Sequence, residues 1–172
     1  FPDVPVVLGG IEASLRRLTH YDYWEDKLKK CILCESGADI ILYGMGEKNT
    51  LQLCRELENG RSIKDVKDIP QTVYLAKKED IPGGITDTDI VLHSHEECLR
   101  NKKAQAENFR HIEEESNKMH AQRLIQGVDH QFAVVNPPYP PMTTEELDAA
   151  FDLPYTRMPH PKYKGKTIPA YE

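Results

Sequence analysis

The stretch GGIEASLRRLTHYDYW, positions 9 to 24, concentrates the side chains most able to do chemistry. Glu12, Arg16, Arg17, His20, Tyr21, Asp22, Tyr23 and Trp24 follow a pair of glycines. On a helix, Glu12, Arg16 and His20 fall at i, i+4 and i+8 and share one face. The Glu-before-Arg order favours pairing, and taken alone such a pair reads as a salt-bridged surface. HYDYW reads differently, because a solvated surface rarely sets Tyr, Tyr and Trp so densely. This run either packs beneath another domain or lines a pocket. Its polar tips suit contact with a ligand or a neighbouring domain, where a core would hold Leu and Val. Trp24 alone is expected to anchor its helix to a sheet.

Two glycine turns are a second candidate. Gly9-Gly10 and Gly44-Met45-Gly46, the latter followed by Glu47, each stand between a β-branched run and a helical one. In open α/β sheets, ligands bind beyond the carboxyl ends of parallel strands. Glycine lets backbone amides approach such a ligand, and the helix N-terminus favours anions. A tight strand-to-helix turn needs glycine for steric reasons too. The full dinucleotide pattern G-x-G-x-x-G is absent.

Other motifs read as structural. Cys31-x-x-Cys34 could be redox-active or half a zinc site. No second pair at zinc-finger spacing accompanies it, and buried core thiols are the better reading. His93 and His95 alternate as strand ligands would, but Ser94-His95-Glu96-Glu97 is a capping-box pattern, so the backbone turns between them. Arg157, His160, Lys162, Tyr163, Lys164 and Lys166 form a basic strip near the end of the chain, suited to a linker or to a tether along a neighbouring domain.

The positioning elements follow from periodicity. Val4 to Leu8, Asp39 to Tyr43, Thr72 to Ala76, Asp89 to Leu92 and Phe132 to Val135 read as strands. Helices are expected from Ile11 to about His20 and from Trp24 to Glu35, with Gly37 as a left-handed cap. Another runs from GMGE to about Asn59, with Leu51, Cys54 and Leu57 on its apolar face. A long polar helix, with room for one break, is expected from Ser94 to about Gln126, and a short one from Thr143 to Phe151. The pattern predicts an α/β fold: a parallel sheet with right-handed crossovers and flanking helices, the long polar helix and an extended C-terminal linker. The expected divisions are residues 1–92 for the α/β domain, 93–131 for the helical segment, and 132–172 for a strand, a short helix and a Pro-rich linker.

With 172 residues, 39% of them apolar, the chain is long enough for one domain with a real core. A net charge of −6 disfavours a dedicated nucleic-acid binder, which needs a basic face. No apolar run reaches the roughly 18 to 20 residues of a membrane span. The four cysteines look like scattered cytosolic thiols, which points to the cytoplasm. The missing initiator Met and the start in an apolar strand point to a piece of a longer protein.

GGIEASLRRLTHYDYW closely resembles a hallmark of the YgiQ-type radical S-adenosylmethionine (SAM) iron-sulfur proteins. DIILYGMGE, VLHSHEE, VVNPPYPPMTTEELDAAFDLPY and RMPHPKYKGKTIPAYE are similar to further segments of that family, in the same order. The resemblance implies that residues 1–92 are a partial Rossmann-like, cobalamin-binding-type domain, an accessory domain non-catalytic by itself that precedes a radical SAM barrel. The barrel's CxxxCxxC motif would hold a [4Fe-4S] cluster and bind S-adenosylmethionine beyond TIPAYE. The cysteines of this chain do not form that motif, and no cofactor is expected within it. The cobalamin-ligating D-x-H-x-x-G motif is absent too. Glu12, Arg16, Arg17, His20, Tyr21, Asp22 and Tyr23 would then be a substrate-facing or interdomain surface, with the barrel of the same full-length chain as partner and the substrate unknown. The ligand-turn candidates are Gly9, Gly10, Gly44, Gly46 and Glu47, and the alternative reading is a free-standing nucleotide- or phosphate-binding module that uses the turn from Gly44 to Glu47.

Overall fold

The computed structural model describes residues 4–171. Eight strands are β1 (Val7–Leu8), β2 (His20–Asp22), β3 (Lys27–Lys29), β4 (Ile40–Leu42), β5 (Thr72–Ala76), β6 (Ile90–Leu92), β7 (Leu124–Val128) and β8 (Gln131–Val135). Six helices are α1 (Gly10–Leu15), α2 (Ile32–Ser36), α3 (Glu47–Glu58), α4 (His95–Arg100), α5 (Lys102–Ser116) and α6 (Thr144–Phe151). The chain divides into one unit ending at Pro141 and a second running from Met142. The second unit holds α6, which Thr143 and Glu146 close with a reciprocal capping box, and a 3₁₀ turn at Pro161–Tyr163.

In the first unit, six strands form a sheet in the order β1-β4-β5-β8-β7-β6. Period-two alternation builds its two faces. Ile41, Val73, Leu124, Ala133 and Val135 pack on one side with Ala13, Leu18, Cys31 and Leu33. On the other side Ile40 and Leu42 meet Leu53, Val66 and Ile69, while Tyr74, Ile125 and Val134 meet Ile81. This flanked sheet is consistent with a Rossmann-like α/β fold.

Strand directions depart from the expected parallel succession. β1 pairs parallel with β4, and β6 with β7. The β4-β5, β5-β8 and β8-β7 pairs are antiparallel. The cause lies after α3. In a simple crossover, the strand would start where the helix ends. Here residues 59–71 run back along the sheet, through a 3₁₀ turn and the buried Val66 and Ile69, before β5 begins. Gln71 therefore sits beside Tyr43, at the end where β4 finishes, and β5 leaves in the opposite direction.

Four helix expectations are corrected. The helices over 11–20 and 24–35 are replaced by short α1, the antiparallel hairpin of β2 and β3, and short α2. Asp22 diverts the backbone: its carboxylate accepts the amides of Trp24 and Glu25 at 3.0 Å each, a turn that competes with helix. Asp26 completes the turn at φ 51°. On α3 the buried positions are Asn49 and Leu53; Leu51 and Cys54 are exposed, and only Leu57 of the expected face packs partly. The long polar helix breaks at Asn101, whose side chain caps α5, and it ends at Ser116. Beyond it, Leu124, Gln126 and Val128 face the core in β7. Gly37 does cap α2 in the left-handed region, and Ser94 with Glu97 does form the capping box of α4.

Candidate functional site

The carboxyl ends of β1 and β4 lie side by side and bring the two glycine turns together. Ser14 stitches them: its hydroxyl donates to Gly10 O at 2.8 Å and accepts from Gly44 N at 3.1 Å. The second turn is occupied by the protein's own side chains. Gln71 Nε2 donates to Tyr43 O at 2.7 Å and to Met45 O, and Gln71 Oε1 accepts from Tyr139 N. Asn49 Nδ2 donates to Gln71 O at 2.8 Å. Gly44 has φ 68°, and a Cβ there would lie 3.1 Å from Gln71 Nε2, so this glycine serves a close internal approach. Gly46 precedes α3 without a side-chain cap, and Glu47 is its exposed first residue. These contacts account for the turn structurally, and the reading as a nucleotide- or phosphate-binding module is not supported.

The polar cluster divides in two. Glu12 and Arg16 pair at 3.0 Å across one turn of α1, as their spacing implies, but His20 leaves that face for β2. Buried Asp22 lies 3.8 Å from Arg16 and 4.0 Å from Lys29. The amides of Glu25 and Trp24, aided by those two cations, hold its carboxyl below the usual range. Asp22 is thus the base of the hairpin. Tyr21, Tyr23 and Trp24 are exposed, and the Tyr23 and Trp24 rings stack at 4.7 Å. Trp24, 78% exposed, does not anchor anything to the sheet, contrary to expectation. The turn that Asp22 sets places it at the hairpin tip.

Arg17, His20 and Tyr21 belong to the second group. They line a cleft of about 620 Å³ between residues 15–21 and α5. Leu15, Leu18, Phe109 and Ile112 supply apolar walls, and Gln105 adds a polar group. Three side-chain atoms from these residues are buried without a hydrogen-bond partner: Arg17 Nε, His20 Nε2 and Gln105 Oε1. Elsewhere Arg17 donates to Ser14 O and stacks over the Tyr43 ring at 5.1 Å. Burial pushes its pKa down, opposed by Tyr43 and by Glu113 at a distance. Burial lowers His20 as well, against the pull of its contact with Leu18 O at 3.1 Å. With Nδ1–H donating there, Nε2 carries the free lone pair. Gln105 Nε2 reaches Thr19 O, leaving Oε1 as an acceptor.

The α5 half of the cleft was missed, because that helix reads as polar and solvated. Its signal was the stripe Gln105, Phe109, Ile112 and Ser116, which recurs every three or four residues.

The remaining thiols and imidazoles are separated. Cys31 is buried at the N-cap of α2 with the partly buried Cys34 one turn on; Cys54 is exposed, and Cys98 is buried against Asn108. His93 Nε2 lies 2.9 Å from Glu107 and His95 Nδ1 lies 3.0 Å from Thr19 Oγ1, so the two rings have different partners. Among the described residues, no three His, Cys, Asp or Glu side chains come together as a metal site. These cysteines do not fit a [4Fe-4S] cluster, which needs several converging thiolates.

Comparison with known proteins gives one consistent family. The profile described as "Radical SAM N-terminal" matches residues 1–172. A UPF0313 protein of Bacteroides thetaiotaomicron is 58% identical over 183 aligned residues, covering 100% of this chain and 29% of the relative. UPF0313 proteins of Porphyromonas gingivalis and Methanocella arvoryzae are 55% and 43% identical, over 100% and 99% of this chain and 27% and 28% of the relatives. The chain thus spans less than a third of the length of these relatives. No solved structure matches it.

Proposed function

Since the chain belongs to the radical SAM N-terminal family, we propose that it is the accessory N-terminal domain of a [4Fe-4S] enzyme and performs no catalysis alone. Family membership points to a cluster and S-adenosylmethionine in the full-length protein. The cysteines described above leave that chemistry to the remainder of the polypeptide. The four free thiols favour a cytoplasmic setting. Among the described residues no helix is long and apolar enough to cross a membrane.

One observation carries the role of this domain: the hairpin of β2 and β3 holds an exposed aromatic tip on a locked base. Asp22 fixes the turn, Tyr21 donates to Asp26 at 2.5 Å, and Tyr23 and Trp24 stack outward. Stacked aromatics lose little freedom on contact and cover a large area, the properties of an interface anchor. The tip is the interdomain surface, its partner being the catalytic portion of the same full-length chain. Arg17, His20 and Tyr21 line the substrate-facing cleft.

The test uses the full-length protein, reconstituted anaerobically with iron and sulfide and assayed for reductive cleavage of S-adenosylmethionine. Tyr23→Ala with Trp24→Ala is expected to lower cleavage while iron content and the folding of this domain persist. Stoichiometric iron and sulfide in the 172-residue chain would overturn the assignment of its cysteines. Unchanged cleavage in the double variant would overturn the hairpin's role.

A further inference from the structure

Among the described residues, Arg17 has no ion-pair partner. A guanidinium stays charged in any protein environment, and burying it is costly unless an acceptor is supplied. Here Nε is buried and unbonded, and one contact goes to a backbone carbonyl and another to the Tyr43 ring. None of the ion pairs found among the described residues includes Arg17. Glu113, which also lines the cleft, acts on it only from a distance.

We propose that the cleft between residues 15–21 and α5 binds a small molecule joining a carboxylate to an apolar body, with Arg17 as the counter-ion. The walls fit the body: Leu18 is buried behind the cleft, while Phe109 and Leu15 line it yet remain more than half exposed, leaving apolar surface for a ligand to cover. The volume lies within the range of small-molecule sites, about 300 to 1,000 Å³. His20 Nε2 offers a second contact, accepting from a protonated carboxyl or donating once the ring is charged. Lys102 at the rim adds positive charge. This inference goes beyond the accessory-domain reading and needs neither the cluster nor the remainder of the full-length protein.

The probes are octanoate, octanamide and acetate, added to the 172-residue chain and followed by backbone amide shifts in ¹H–¹⁵N spectra. Octanoate is expected to saturate, with shifts confined to residues 15–21 and the facing side of α5. It should bind about tenfold or more tighter than octanamide, the size of a charge-assisted hydrogen bond. Acetate, lacking the apolar body, should bind far more weakly. Arg17→Met should abolish the preference for octanoate over octanamide, and Arg17→Lys should keep part of it. Because Arg17 packs on Tyr43, Phe109→Ala is the second variant; Phe109 is exposed, so the fold should persist while both eight-carbon probes weaken together. Equal affinity for octanoate and octanamide would overturn the proposal. So would shifts mapping elsewhere, or an unaltered preference in a folded Arg17→Met.

Discussion

Truncating Trp24 to alanine separates an anchor from an exposed contact. A buried aromatic cut back to alanine costs about 3 to 5 kcal/mol. Trp24 is 78% exposed, so little of that burial is present to lose. The principal loss is its stack on Tyr23, and such pairs contribute about 0.5 to 1.5 kcal/mol. The backbone amide of residue 24 still reaches Asp22, so the turn survives. With a urea slope of about 2 kcal/mol/M, the midpoint should fall by less than about 0.8 M, followed by far-UV circular dichroism. Trp24 is the sole tryptophan, so the wild-type chain reports the same residue by fluorescence. In the 172-residue chain its emission should be red-shifted and readily quenched by acrylamide; in the full-length protein it should be protected. A midpoint drop above about 1.5 M, equivalent to about 3 kcal/mol at that slope, with blue-shifted wild-type emission would show that Trp24 is an anchor after all. Equal quenching in the short and full-length proteins would show that the tip is not an interdomain contact.

Gly44→Ala should destabilise by about 1 to 2 kcal/mol, from the left-handed backbone and the displaced Gln71 amide, and the urea midpoint measures it; no change would mean that Gln71 is not held against the turn. Leu33→Ala should cost about 2 to 5 kcal/mol, since Leu33 is among the largest fully buried side chains, and the same titration checks it. His20 and His95 are both held below the ordinary value of 6.5, chiefly by burial. The unfolded chain therefore takes up their protons first. Their contribution to stability is full above 6.5 and is lost as the pH falls through the lower folded values. Urea midpoints on either side of 6.5 should show this slope, flattened in His20→Gln with His95→Gln; a flat wild-type profile would refute it.

Strands and caps were legible in the sequence because they depend on near neighbours. Thr72–Ala76 alternates two faces and is bounded by turn residues, and the strand falls there. Gly37 and the Ser94–Glu97 capping box are local chemistry, and both formed. The pairing of Glu12 with Arg16 likewise followed from spacing alone. Tertiary structure decided the remainder. Strand direction depended on residues 59–71 returning along the sheet, a path that exists only because Val66 and Ile69 find a core against α3. Helices were expected on either side of HYDYW, and the hairpin formed there instead through Asp22, whose carboxylate holds the amides of Trp24 and Glu25 and lies near Arg16 and Lys29. The cleft joins residues 15–21 to α5, which begins at Lys102, so neither half reveals it alone. Local backbone preference acts over a few residues and is written in adjacent letters. Burial, strand direction and the buried, unbonded Nε of Arg17 depend on surfaces that meet only once the chain has folded.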